Sequence, residues 1–167
     1  MPEIKLIAAI DNKLGIAKKV AGTPGKIPWN LQSDRKYFRD KLIDGPVVSG
    51  WNTFAANNFK PYGIGKNIVI TRDDRESAPG VWIIHDAQKF FEKNKEDIWV
   101  AGGGQIFKEA LPYATHLYLT RVSGDFDCDI FFPEFEGKFI LTHEEPKQTE
   151  NGVSFIYQIW QPITTSK

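Results

Sequence analysis

The chain has a single cysteine, Cys128, in 167 residues. A lone thiol excludes an internal disulfide and fits a reducing compartment, so a cytoplasmic location is expected. Nothing at histidine or asparagine spacing near Cys128 supports a thiol nucleophile. Net charge is also missing, because Lys plus Arg and Asp plus Glu both number 21. Without a global basic field, nucleic acid is not an expected partner, and any anion must be held by a local site. Long hydrophobic runs are lacking too. The opening MPEIKLIAAI is too short for a signal peptide or a membrane span, and no stretch reaches the roughly 18 apolar residues that a span needs. His85, His116 and His143 fall in separate segments without metal-ligand spacing, so no metal is assigned.

What the chain does have is 41% hydrophobic and 13% aromatic residues, enough for one sizeable core and too little length for two. One domain over 1–167 is expected, as a monomer. Short β-branched or aromatic runs recur at 4–10, 46–49, 67–71, 81–84, 98–101, 117–122, 139–142 and 153–160, with helical patterns over 33–42, 51–57, 87–93 and 105–111. This alternation predicts crossover connections and an α/β fold: a central eight-stranded mixed sheet, mostly parallel, with helices on both faces. After Leu117 the helical patterns stop, and Glu150-Asn151-Gly152 reads as the turn of an antiparallel C-terminal hairpin. Two segments read as long loops, 14–27, with three glycines, a proline and three lysines, and 57–65.

The helix over 33–42 places Asp34, Phe38 and Leu42 at i, i+4 and i+8, on one face. That face is the apolar one, since Arg35, Lys36, Arg39 and Asp40 fall mainly elsewhere. A carboxylate held against apolar neighbours is a candidate for binding or proton chemistry. The alternative is a helix cap, because Asp is common in a first turn, where it satisfies N–H groups and complements the dipole.

Twice the pattern runs strand, glycine, helix: VVSG into Trp51, and WVAGGG into Gln105. Glycine at such a corner lets a ligand approach the backbone at a helix N-terminus, and two corners suit a pyrophosphate. The glycine spacing is not the Rossmann fingerprint.

The strand IKLIAAI, the Gly15-Ile16 after it, Pro28-Trp29-Asn30-Leu31, Asp34 and Phe38 together resemble the dihydrofolate reductase family. The likeness continues in the family's order through PVVSGWNTF, KNIVITR, WVAGGGQIF, LYLTRV and DIFFP. It implies reduction of 7,8-dihydrofolate by NADPH, with hydride reaching pterin C6 and a proton reaching N5. Carried over residue by residue, it implies that Asp34 pairs with the pterin's 2-amino group and ring nitrogen, with Trp29 holding a water beside that carboxylate. Thr120 would bond Asp34 or the amino group, and Ile7, Ala8, Phe38 and Ala101 would wall the ring. Ala9, Ile16, Gly50, Thr53, Gly102, Gly103, Gly104, Gln105 and Ile106 would line the dinucleotide site, with a cis peptide joining Gly102 to Gly103. Thr71 and Arg72 would take the adenosine 2′-phosphate. The loop over 14–27 corresponds to the family's mobile loop and is several residues longer than in bacterial examples.

Three positions depart from the family. Trp51 stands where a basic residue is usual, and an indole can stack on adenine but adds no charge. Phe107 stands where tyrosine is frequent near the nicotinamide. Gly65 stands where an arginine commonly grips the substrate's glutamate, leaving Arg35, Arg39 and Lys60 as substitutes. A same-fold reductase of another pteridine or pyrimidine, of the riboflavin-pathway type, is the rival that Gly65 favours, whereas Pro28-Trp29-Asn30 with Asp34 favours the pterin. A catalytically silent nucleotide-binding protein is opposed by Asp34 and the intact glycine run.

Overall fold

Hydrophobic alternation along the first strand sets the two layers of this fold. In the computed structural model, which describes residues 1–73 and 80–164, strand β1 spans Ile4–Ile10. Its Ile4, Leu6, Ala8 and Ile10 join the larger core, while Ile7 packs on the opposite face with Leu42, Val47 and Trp99. Period-two alternation of this kind, apolar on both sides, is what a doubly covered sheet requires.

The remaining elements follow as β2 (Gly15–Ala17), α1 (Gln32–Leu42), β3 (Val47–Gly50), α2 (Trp51–Ala56), β4 (Asn67–Ile70), β5 (Val81–Ile84), α3 (Ala87–Lys93) and β6 (Ile98–Val100). Then come α4 (Gly104–Ala110) with a short 3-10 turn at Leu111–Tyr113, β7 (His116–Val122), β8 (Ile130–Phe131), β9 (Phe139–Glu144), β10 (Gln148–Glu150) and β11 (Val153–Pro162). The main sheet runs β10-β11-β7-β1-β6-β3-β4-β5, with β9 also paired to β11. From β7 to β5 every pairing is parallel, and β11 closes on β7 antiparallel. Helices α3 and α4 pack into the larger core on one face, and α1 covers the other through Leu42 and Phe38.

The expected eight-stranded mixed sheet is therefore present, with a detail the patterns did not show. Nine strands fill eight positions, because β9 pairs Pro162 back to Gln158 of β11, and β10 takes over along the same edge from Phe155 to Val153. Pro146 lies in the gap, where a residue without an N–H cannot continue a ladder. The hairpin turn itself is Asn151-Gly152, both at positive φ (52° and 76°), as a tight two-residue connection demands.

The loop over 14–27 is not structureless. Its β2 pairs with β8 in a two-stranded sheet. Beyond that, Lys18 and Lys26 exchange two backbone hydrogen bonds of 2.8 Å, and Thr23 N donates to Val20 O at the tip. Buried Asp11 pins the base, its carboxylate accepting from the N–H groups of Lys13, Gly15 and Phe126.

Candidate active site

The carboxyl ends of the parallel strands open on one cleft of about 1440 Å³. Gly50 ends β3, Ile70 and Thr71 close β4, His85 follows β5, Ala101 to Gly104 follow β6, and Ala8 and Ala9 come from the latter half of β1. A crevice where the strand order switches direction is the ordinary ligand position in an open α/β sheet.

Asp34 enters the cleft from the first turn of α1, half-buried, above Phe38 and fully buried Leu42. Thr120 of β7, 2% exposed, donates its hydroxyl to Asp34 Oδ1 at 2.6 Å. Burial pushes the Asp34 carboxyl above the ordinary aspartate range, against the opposing pull of the Thr120 hydroxyl and the Arg35 charge, while Glu150 adds to the rise. Asp34 lies in the first turn, where it complements the helix dipole, but it caps no N–H group. The N-cap position is Leu31, with no side-chain cap, and the N–H groups of Gln32 and Ser33 donate to Glu150 instead.

The two glycine corners face one another. Gly50 N donates to Gly102 O at 2.7 Å, the Gly102–Gly103 peptide is cis as the resemblance implies, and neither α2 nor α4 has a side-chain cap at its start. Glycine is required here by space. A Cβ at Gly104 would meet the Phe131 carbonyl oxygen at 2.9 Å, one at Gly50 would meet Ile106 Cγ1 at 3.0 Å, and Gly102 sits at φ 118°.

Of the residues singled out from sequence, the cleft is lined by Ile7, Ala8, Ala9, Ile16, Asp34, Arg35, Phe38, Arg39, Gly50, Trp51, Thr53, Thr71, Arg72, Ala101, Gly103, Gly104, Gln105, Ile106 and Phe107. Three stand behind the wall. Gly102 lies under Phe107, Thr120 reaches the cleft through Asp34, and Trp29 is buried edge-on against Phe126 at 5.2 Å between ring centroids. Lys60 is not part of the wall, so of the three substitute cations only Arg35 and Arg39 border the cleft. Cys128 is partly buried beside Asp11, and its thiol is pushed up to about 11, which keeps it protonated at neutral pH.

Other lining residues escaped the sequence patterns. His85 holds Thr71 O through Nδ1 at 2.9 Å and lines the cleft as Arg72 does, a place that the rule of strand carboxyl ends would have found. Lys19, Lys26 and Ile27 come from the 14–27 loop, and Tyr62 from the 57–65 loop. That loop is tied down by buried Asn67, whose side-chain amide bonds both the N–H and the carbonyl of Tyr62.

Gly65 is packed as tightly as the cleft glycines. A Cβ there would lie 2.3 Å from the Asp44 carbonyl oxygen, so the turn accepts no side chain without moving its backbone. Gly65→Ala is accordingly expected to lower stability by about 1–3 kcal/mol, the cost of overpacking, which thermal unfolding will read. An unchanged melting temperature would mean that the 43–46 turn yields freely.

The family model described as dihydrofolate reductase matches residues 3–162. The dihydrofolate reductase of Buchnera aphidicola from Acyrthosiphon pisum is 34% identical, over 93% of this chain and 97% of that one. That of Bacillus subtilis is 26% identical, over 98% and 97%. Among solved structures, dihydrofolate reductase from Enterococcus faecalis complexed with NADP(H) and RAB-propyl superposes with a TM-score of 0.82, at 26% identity and 96% coverage of each chain. With the sheet order, the paired glycine corners and the Asp34–Thr120 contact all in one cleft, the chain belongs to the dihydrofolate reductase family.

Proposed function

We propose that this chain reduces 7,8-dihydrofolate to 5,6,7,8-tetrahydrofolate with NADPH, as a cytoplasmic monomer. The observation that carries the reading is the Asp34–Thr120 pair set in the same cleft as two uncapped, side-chain-free helix starts. The residues present fit the dinucleotide. The glycine corners bring backbone to the cleft wall for a pyrophosphate, Trp51 offers a flat face for adenine, and Arg72 offers a planar fork of donors for a 2′-phosphate. When bound, NADPH supplies the hydride that reaches pterin C6.

The protein's own part is orientation, charge and exclusion of water. Asp34 accepts paired hydrogen bonds from the pterin's 2-amino group and adjacent ring nitrogen, which fixes one face of the ring upward. Thr120, already bonded to Oδ1, keeps the carboxylate from turning. Phe38 and Ile7 wall the ring on α1 and β1, and Tyr62 closes the far side edge-on to Phe38 at 5.9 Å. The negative charge of Asp34 favours protonation at N5, with the proton delivered through a water that Trp29 orients under the lid.

The absorbance decrease of NADPH on adding dihydrofolate tests this, run beside the same assay with a tail-free pterin. No oxidation with dihydrofolate, but turnover with another pteridine or a pyrimidine, would move the chain to the rival reading that Gly65 favours. Within the proposed function, Gly65 makes the pterin end dominate affinity. Removing the glutamate should cost under about 1 kcal/mol, the scale of an exposed ion pair.

The lid supplies a further expectation. Its tip, 20–24, has one backbone bond, whereas Lys18 and Lys26 are cross-paired. Amides at the tip should therefore exchange quickly in the free protein and slow down when NADPH is added. Equal exchange with and without the dinucleotide would count against closure over the cleft.

A further inference from the structure

On the reading of Asp34 as the group that meets the pterin, we propose that Glu150 is a positioning residue which, from the far end of the chain, sets both where Asp34 stands and the field it stands in. Helix α1 begins at Gln32 with no acceptor of its own to satisfy its first N–H groups. Glu150, 118 residues away, does so. Its Oε2 accepts from Gln32 N at 2.6 Å, its Oε1 accepts from Ser33 N at 3.1 Å, and the Ser33 hydroxyl donates to the same oxygen. The next residue, Asn151, donates its side-chain amide to Asn30 O at 2.9 Å. The hairpin turn thus grips the chain on both sides of Leu31, which is 1% exposed and packs in one cluster with Phe155 and Tyr157 of β11. Asp34 sits one residue beyond this grip.

A carboxylate of β10 set against the helical turn that carries another would ordinarily repel it, and here the two are held by partners of different kind. Glu150 faces outward onto backbone N–H groups, and its hydrogen bonds, that of Ser33 first, hold it below the usual glutamate range. It therefore stays charged wherever the enzyme works. Asp34 faces inward onto Thr120. Among the described residues, the other charged and titratable groups coupled to the pair are Arg35, Tyr37 and Tyr157, with Glu145 and Tyr118 beyond the tyrosines. The Arg35 guanidinium opposes Glu150 and is itself anchored on Asn30 Oδ1 at 2.8 Å. Tyr37 and Tyr157 stack at 4.1 Å and stay neutral, Tyr157 being pushed up to about 12 by burial. Glu150 is thus a negative charge bonded to the first turn of the helix that carries Asp34, and it favours whichever state of the Asp34–pterin pair holds one proton more.

Five forms of the full chain separate the possibilities: wild type, Glu150→Gln, Glu150→Asp, Asp34→Asn and the double variant of Glu150→Gln with Asp34→Asn. The readouts are the pH profile of hydride transfer in single turnover and NADPH affinity by fluorescence. Glu150→Gln keeps the length and one acceptor oxygen but removes the charge. Its NADPH affinity should match wild type, its rate should approach wild type at pH 6, and at pH 8 it should fall about two- to fivefold below, the scale of one charge seen through water-facing protein. In the Asp34→Asn background the same change should produce no further shift of the profile. Glu150→Asp, which keeps the charge on a shorter arm, should hold the wild-type profile and raise the KM for dihydrofolate. A Glu150→Gln profile that superimposes on wild type, or drops equally at every pH, overturns the assignment. Normal turnover by Asp34→Asn would remove the reading of Asp34 itself, and the role of Glu150 with it.

Discussion

Asp34→Asn should slow the reduction of dihydrofolate at pH 7 by about 10²- to 10⁴-fold, the usual worth of a group engaged in proton transfer, while leaving NADPH binding intact. The amide keeps the shape of the carboxylate and can still accept from Thr120, but it carries no charge to favour a proton at N5. At lower pH the solvent protonates the pterin before it binds, so part of the loss should return. Near-normal activity at pH 7 would refute a chemical role for this carboxyl. The same variant should be more stable than wild type at neutral pH. Burial raises the folded-state pKa of Asp34 above the ordinary value of about 3.9. Its contribution to stability is therefore fully present below that value and is lost as pH rises through the folded one, where a buried charge must be carried. Asn carries none. Melting temperatures of the two proteins should coincide near pH 3.5 and separate by pH 7, with the variant higher.

Arg72→Ala should weaken NADPH by about 10- to 150-fold and NADH hardly at all. A charge-assisted bond to phosphate is worth about 1.5–3 kcal/mol, and NADH lacks the phosphate. Arg72 stands two residues beyond β4 on the cleft wall, and Trp51 at the start of α2 adds no charge there. His85, anchored on Thr71 O, is another candidate donor on the same wall. Fluorescence titrations with both dinucleotides will decide. Equal weakening of the two would place the 2′-phosphate elsewhere.

Both expectations start from residues that a linear reading finds, and the reasons are physical. Asp34 is visible because a helical period puts it over Phe38 and Leu42, whereas Arg72 is marked for the 2′-phosphate only by the family resemblance, at the end of a β-branched run. The glycine corners stood out because strand, glycine and helix follow directly in the chain. Interactions across the chain were not visible this way. Thr120 lies 86 residues from Asp34 and was picked out only through family resemblance. Asp11 and Glu150 look like surface acids in sequence, and their partners are backbone N–H groups that no side-chain pattern records. Strands β2, β8 and β10, of two or three residues each, are too short to show a period. The crowding at Gly65 comes from the Asp44 carbonyl, which is likewise silent in sequence.

The C-terminal hairpin gives the site an order of assembly. Gln32 and Ser33 leave the ribosome early, yet the carboxylate that holds them is Glu150, and the apolar floor beneath Leu31 includes Phe155 and Tyr157 of the final strand. A nascent chain that has released β1, α1 and both glycine corners already contains most of the cleft wall, but the turn bearing Asp34 is still unmoored. Competence to bind substrate should therefore arrive late in synthesis and abruptly, with the closing of β10 and β11 on β7 rather than with the parallel core.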